Sequence, residues 1–419
     1  LAAAWLFVSD VHLDIGAPST PPVRERHDTN IGLLDSALAA MQRVDPHPPV
    51  VVIDGDFVAH HADPERVLPA IDYVAQAFGR TFPDAQFVIA LGNNDSPCGD
   101  YGVSVDGPFL RAVARAWEPL VNRRNAAPDF ARRFAHDGFY TARLPAGIEA
   151  VVIDDVAWTP LAHGCGATAD PGDAMMAELG RALGSAPAQQ RWIVMHVPPG
   201  IDPFTTLLFA HQLAIVPFLK STDRSRFEAL ATAPGHGVAL VLAGHMHRFA
   251  YRILAARSPH PVPLLAIPAI SPVYGDAPAF LTVDVAPDGT VRNAEEHAFD
   301  GSQWNDIGGL RTLGVNALRS ADLASLQQRL AADAGLRRTF AQLYGAHAGR
   351  TEIDEGNWRA YWCAASELAV TPYRTCLGAG GWRIVTRRGF IVLGGVLIAL
   401  IAALAALVVV IRRRTAAPA

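Results

Sequence analysis

The stretch that decides the fold is Val238–His247, VALVLAGHMH: six apolar residues run without a break into Gly244-His245-Met246-His247. A short apolar run closed by a glycine reads as a buried strand. At an extended strand end, side chains two apart point to the same side, so His245 and His247 would both face one point beyond the sheet. Two imidazoles in that relation have the makings of a metal site.

The same arrangement recurs outward along the chain. Apolar runs at Trp5 to Ser9, Val50 to Asp54, Gln86 to Leu91, Ala150 to Asp154 and Arg191 to His196 mostly end in polar clusters. Helical spacing fills the gaps, with Ile31, Leu34, Leu38 and Met41, then Val67, Ile71, Val74 and Phe78, and later Phe227 and Leu230. The sum predicts an α/β fold, a central sheet covered by helices. Beyond His247 the pieces Pro263 to Ile270 and Ala279 to Val285, the latter followed by the turn Pro287-Asp288-Gly289, read as the closing part of a second sheet. A helical region follows, carrying Leu323, Leu326, Leu330, Phe340 and Leu343 on one face.

Each strand end delivers polar residues. The first gives Asp10-Val11-His12, the second Gly55-Asp56 and then His60-His61, the third Gly92-Asn93-Asn94-Asp95, the fifth His196-Val197-Pro198-Pro199-Gly200. Singly these are weak: Asp56 reads as a cap or turn residue, Asn93 to Asp95 as an ordinary turn, His196 as a core histidine. Together they stand at the carboxyl edge of one α/β sheet, where ligands collect. Asp10, His12, Asp56, Asn93, His196, His245 and His247 make seven oxygen and nitrogen donors with no thiolate, a set suited to two divalent cations rather than one closed structural zinc. Asp154 and Asp155 read as structural, and His61, His136, His163 and His211 as loop residues.

The 419 residues are 50% hydrophobic and 18% charged, which excludes a disordered chain, and 35 basic against 40 acidic residues leave a net charge of -5. Nucleic-acid binding through bulk charge is not expected. Residues 389–411 carry no charge and as helix would span about 34 Å, enough for a bilayer core of about 30 Å. A single-pass membrane helix is therefore expected there, followed by the basic tail 412–419 with Arg412, Arg413 and Arg414. The triplet favours a cytoplasmic tail and a periplasmic or extracellular body. No signal sequence is visible at Leu1, so export implies one removed ahead of it, the other reading being a tail-anchored cytoplasmic protein. Four cysteines allow three pairings; the short spacing of Cys363 and Cys376 favours that pair, leaving Cys98 with Cys165, with four free thiols the alternative.

The order Asp-x-His, Gly-Asp, Gly-Asn-Asn-Asp, His, Gly-His-x-His resembles the calcineurin-like metallophosphoesterases, over roughly residues 5 to 285. Within them GDFVAHH at Gly55 to His61, HVPPG at His196 to Gly200, GHMHRF at Gly244 to Phe249 and PAISPVYGDAPAF at Pro268 to Phe280 resemble the acid sphingomyelinase-like phosphodiesterases. Gly92 to Asp95 also resembles the related endopolyphosphatases. The resemblance implies a β-sheet sandwich flanked by helices over 1–300 and a C-terminal helical subdomain over 301–382. It implies Asp10, His12 and His247 on one cation, Asn93, His196 and His245 on the other, and Asp56 bridging. Zinc is the favoured metal, with manganese and iron as alternatives. The activity implied is hydrolysis of a phosphodiester or phosphoanhydride by a hydroxide generated between the cations. Phosphorylated small molecules, lipids and polyphosphate are the substrate classes; a phosphomonoesterase, a polyphosphatase or a non-catalytic metal-binding scaffold are the other readings. One departure concerns catalysis: Asn94 stands where the family carries an acid histidine, and His60 is the residue expected to donate the proton instead.

Overall fold

The computed structural model describes residues 4–23, 25–166, 170–185, 190–208, 214–348 and 352–415, with the side chains at 379–389, 392 and 405–415 outside the description. Fourteen strands lie among the described residues. In chain order they are β1 (Trp5–Ser9), β2 (Val50–Asp54), β3 (Gln86–Ala90), β4 (Gly102–Val103), β5 (Tyr140–Arg143), β6 (Ile148–Val152) and β7 (His163–Gly164). Then come β8 (Gln190–Val194), β9 (Val238–Ala243), β10 (Ala250–Leu254), β11 (Val262–Ala266), β12 (Ala279–Val285), β13 (Val291–Phe299) and β14 (Trp304–Gly309).

Two six-stranded sheets result, ordered β14-β13-β12-β1-β2-β3 and β10-β11-β9-β8-β6-β5, with β4 and β7 forming a separate small ladder. In the first sheet β1, β2 and β3 are parallel; in the second β6, β8, β9 and β11 are parallel. Parallel neighbours need crossovers, and the amphipathic helices Ile31–Val44 and Pro64–Thr81 supply them for the first sheet. Parallel strands covered on both faces read as continuous apolar runs, which is why VVVID and VALVLA stood out in the sequence.

The sheets face each other across a core in which the Trp192 ring lies 5.2 Å from that of Trp5 and 6.2 Å from that of Phe7. Each such ring, taken fully out of water, contributes about 1.5–3 kcal/mol. The expected closing strands divide between the sheets. β10 and β11 extend the second, whereas β12 returns antiparallel beside β1 and, with β13 and β14, closes the first. The antiparallel return puts the Ser271 to Ala277 loop over the carboxyl ends of the parallel strands, since Ile270 and Ser271 donate to Ser9 and Asp10 carbonyls.

Helix Ser320–Ala332 packs on β10 and β11 at the edge of the second sheet, Ala334–Tyr344 reaches β14 of the first, and Trp358–Ala364 packs on Ser320–Ala332, where Gln327 and Trp362 exchange side-chain-to-carbonyl hydrogen bonds. Cys363–Cys376 and Cys98–Cys165 are both disulfides, the favoured pairing. The last helix runs Val370–Thr415 through a break at Gly378, where φ is 63°. Among the described residues no helix is long and apolar enough to cross a membrane, so the expected span at 389–411 is not supported as a whole. Within it the side chains of 389, 392 and 405–411 lie outside the description; Phe390, Ile391, Val396, Leu397, Ile401 and Leu404 are exposed.

Candidate dinuclear metal centre

The five chain segments named from sequence leave β1, β2, β3, β8 and β9 and meet at one point between the two sheets. The way they converge differs from the extended geometry expected of them. Asp10 (φ 49°), His12 (45°), Asp56 (53°), His245 (64°) and His247 (58°) are all left-handed. A non-glycine residue avoids that region at a cost of about 1–3 kcal/mol, and five at one site mark a backbone held for its side chains. The strand ends therefore curl, and side-chain direction follows the curl rather than strand alternation. Gly55 (φ 77°) turns the second segment so tightly that a Cβ there would collide with the His196 ring. At Gly244 a Cβ would overlap the Ser9 hydroxyl and the Asp10 carboxylate.

Three donor groups result among the described residues: Asp10 with His12 and His247, Asp56 with His196 and His245, and a half-buried one, His12 with Asp28 and His60, that shares His12 with the first; the two formed by the strand ends are the triads of the site. In the first, His12 Nε2 and His247 Nε2 stand 3.2 Å apart, with Asp10 Oδ1 3.3 Å from His247 Nε2 and 3.8 Å from His12 Nε2. Ligand atoms about 2.1 Å from one tetrahedral ion stand about 3.4 Å apart, so these spacings match the edges of a coordination shell. Asp56 Oδ2 is 3.4 Å from His12 Nε2 and 3.3 Å from His196 Nε2, within reach of both triads. Asn93 Oδ1 lies 2.8 Å from His245 Nδ1, on the second triad.

Tautomers are set from behind. His12 Nδ1 donates to the Val58 carbonyl at 3.0 Å and His196 Nδ1 to the Asp54 carbonyl at 2.8 Å, which turns the lone pair of each Nε2 into the site. His196 Nε2 and His247 Nδ1 are buried without a hydrogen-bond partner. Burial pushes the His12 imidazole down to about 4 and that of His245 to about 3, so both are neutral donors. Burial would raise the Asp10 carboxyl, but His247 beside it holds it at about 2. Burial likewise opposes ionisation of Asp56, yet His196 and His12 hold it well below the usual carboxylate range. His196 is the counterpart: burial lowers it, but Asp56 and Asp10 raise it well above the ordinary imidazole value. Two carboxylates held ionised among buried imidazoles, with His196 their cationic counterpart while no metal is bound, are a donor set that divalent cations fit.

The other named residues sit around this pair. Asn94 donates its backbone N–H and side-chain amide to Asp56, at 2.8 and 2.9 Å, so it bears on the carboxylate rather than on an open surface. His60 stacks on His12 with ring centroids 4.2 Å apart. Its Nδ1 is 2.8 Å from Asp28 Oδ1 and its Nε2 3.1 Å from the Tyr274 hydroxyl. Burial lowers the His60 imidazole, but the Asp28 contact outweighs it and raises it above the ordinary value.

Several residues were not singled out from sequence. Asp28 and Tyr274 position His60. Asp95 accepts the N–H groups of Phe57, Val58 and Gly92, tying the second and third segments together. Asp155, read as structural, accepts from the His196 and Val197 N–H groups and so holds the fifth. Of the histidines expected in loops, His61 is in a turn 6.5 Å from His60 by ring centroid, His136 lies instead in the helix Phe130–Asp137 and pairs with Asp106, and His163 lies in β7 and donates to the Asp100 carbonyl. His211 lies outside the described residues. Beside His245 a cavity of about 190 Å³ is lined by Tyr101, Phe204, Phe218, Tyr274 and Arg248, among others. Phe204, Arg248, Tyr274 and Glu352 also border a larger one of about 750 Å³.

A two-sheet α/β sandwich with paired donor triads at its strand ends defines a dimetal phosphoesterase centre. The family model for Calcineurin-like phosphoesterase matches residues 5–249, and the chain belongs to that family. Its resemblance to the acid sphingomyelinase-like branch is borne out. Human acid sphingomyelinase-like phosphodiesterase 3b is 22% identical over 385 residues, 84% of this chain and 81% of that protein. Its mouse counterpart is 26% identical over 182 residues, 41% of this chain and 39% of that protein's length. Among solved structures, a dimetal phosphatase from Danio rerio aligns over 73% of this chain and 98% of its own, at 12% identity and a TM-score of 0.42.

Proposed function

We propose that this protein is a dinuclear metallophosphoesterase that hydrolyses phosphodiesters of organic alcohols, with Asp10, His12 and His247 on one cation, Asn93, His196 and His245 on the other and Asp56 shared. The observation that carries this reading is the position of Asp56 Oδ2, 3.4 and 3.3 Å from an imidazole of each triad. Divalent cations held there supply charge neutralisation at the phosphoryl oxygens and acidify water for in-line attack on phosphorus. The chain's own part is positional. Asn94 and the backbone hold Asp56 in its bridging orientation, and the Val58 and Asp54 carbonyls keep His12 and His196 in the ligating tautomer. His60 acts as the proton donor to the leaving oxygen: Asp28 holds its Nδ1, favours the protonated ring against burial and leaves Nε2 directed at Tyr274 on the rim of the cavity.

Zinc suits the nitrogen and oxygen donors, and manganese or iron would be accepted by the same set. The sphingomyelinase-like relatives support a phosphorylated lipid as the substrate. Asn94 in place of an imidazole favours one second reading, a phosphoanhydride such as polyphosphate, whose leaving oxygen needs no proton. The two disulfides support a body outside the cytoplasm. The test is hydrolysis of a chromogenic diester, its monoester and polyphosphate by the full chain loaded with zinc or manganese. Faster diester turnover supports the proposal; faster monoester or polyphosphate turnover overturns the substrate class.

A further inference from the structure

Asn93 is an amide, and an amide presents its oxygen or its nitrogen according to what faces it. Here Asn93 Nδ2 donates to Asp100 Oδ1 at 2.6 Å, which leaves Oδ1 on His245 Nδ1 at 2.8 Å. A carboxylate accepts only, so Asp100 fixes which end of the amide faces the second triad. Asp100 is itself exposed and lies on a strap, residues 96–103, that leaves the site and returns to it. The strap closes on the site through Tyr101, whose N–H donates to the Asn93 carbonyl at 2.8 Å and whose ring packs edge-on against His245.

The outer side of the strap is fastened to a second loop. β4 pairs with β7, the His163 ring donates to the Asp100 carbonyl at 3.0 Å, and Cys98 is joined to Cys165 across 67 residues of chain. Cys98 is exposed and Cys165 half-buried, whereas Cys363 of the other disulfide is fully buried. The cross-link nearest the site is therefore the one a reductant reaches first. Residues 92 to 95 have a separate hold, because Asp95 accepts three backbone N–H groups. Opening the disulfide would remove the covalent member of these fastenings and loosen Asp100, leaving Asp56 and the first triad in place.

We propose that Asp100, tethered by Cys98–Cys165, is a positioning residue for the cation subsite of Asn93, His196 and His245, and that a dithiol which opens this cross-link selectively weakens that subsite. The inference rests on the dinuclear reading above. In the reduction the dithiol loses two electrons and two protons and closes to its own disulfide, while the Cys98–Cys165 bond breaks to two thiols.

The experiment uses the full chain in detergent, stripped and titrated with manganese, with electron paramagnetic resonance distinguishing a coupled manganese pair from a single ion. The oxidised wild type should bind two ions and give the coupled signal. Asp100→Ala should weaken the second ion about tenfold to a hundredfold and leave the first unchanged, and Asp100→Asn, which keeps an acceptor, should recover part of the loss. Cys98→Ser with Cys165→Ser, and folded wild type treated with dithiothreitol, should behave like Asp100→Ala while thiol labelling finds Cys363–Cys376 intact. If the double variant does not fold, the Asp100 and dithiothreitol arms decide. A coupled pair that persists with wild-type affinity in Asp100→Ala and after reduction overturns the proposal alone; a wild type that never binds two ions overturns the dinuclear reading and the proposal with it.

Discussion

Replacing His60 by alanine tests the least ordinary part of the site, because the position from which the family donates its proton is here Asn94. The Asn94 amide is committed to Asp56 at 2.9 Å and cannot donate a proton to a leaving alkoxide. His60 is an imidazole beside the triads with a carboxylate on one nitrogen and a hydroxyl on the cavity rim on the other. A positioned general acid contributes roughly 10²–10⁴-fold, or about 2.7–5.5 kcal/mol of barrier. All of that should be lost for a leaving group that departs as an alkoxide and almost none for a nitrophenolate, which departs unprotonated. The assay compares kcat/KM for an alkyl nitrophenyl diester with that for a dialkyl diester in wild type and His60→Ala. The expected result is a loss of about 10²-fold or more on the dialkyl substrate and less than about tenfold on the nitrophenyl one. An equal loss on both would mean that His60 only orients phosphate, and no loss on either would remove it from the mechanism.

Two further outcomes follow from the charges around the site. Asp28 is the group that raises His60 against burial, and the donor form exists below the pKa so raised, so dialkyl diester turnover should fall as pH rises through it. In Asp28→Asn the largest contact opposing burial is gone while Asp56 and Asp100 still act, and a pH–rate profile should place that alkaline limb at lower pH; an unmoved limb would show that another group sets it. In the metal-free chain His196 is held protonated by Asp56 and Asp10, and it must lose that proton to ligate. Calorimetric titration with zinc at pH 7 in buffers of different ionisation enthalpy should therefore show release of about one proton per chain, with affinity rising about tenfold per pH unit. Zero proton release would show that His196 is already neutral in the metal-free chain and would refute its protonation by Asp56 and Asp10.

The three parallel strands of the first sheet and the strands that frame the site were legible because parallel strands buried on both faces are written as unbroken apolar runs, whereas β13 and β14 were not. Val50–Asp54 and Val238–Ala243 carry the pattern outright. The sheet to which Ala279–Val285 belongs was not legible, since an antiparallel partner can lie tens of residues away and nothing in the run itself names it. All seven proposed ligands were legible as residue types at strand ends. Their geometry was not: alternation along an extended strand predicted convergence, whereas left-handed backbone at Asp10, His12, Asp56, His245 and His247 produces it. Asp28 and Asp100 were missed because a carboxylate that serves by accepting a hydrogen bond from a distant segment has no local signature; Asp95 was read only as part of a turn, and Asp155 was read as structural, as it is. Tyr274 lay within a motif already noted, PAISPVYGDAPAF, but only the return of β12 beside β1 brings it over His60 and His247.

The central claim is that Asp56 joins two cations into one hydrolytic centre. The most direct measurement is metal content and diester turnover of the same preparation of full chain, wild type against Asp56→Ala. Two divalent ions per wild-type chain, with turnover abolished by a chelator, restored by zinc or manganese and lost in Asp56→Ala, is the predicted result. Turnover in Asp56→Ala near the wild-type rate, or hydrolysis that survives complete removal of the metals, would contradict it.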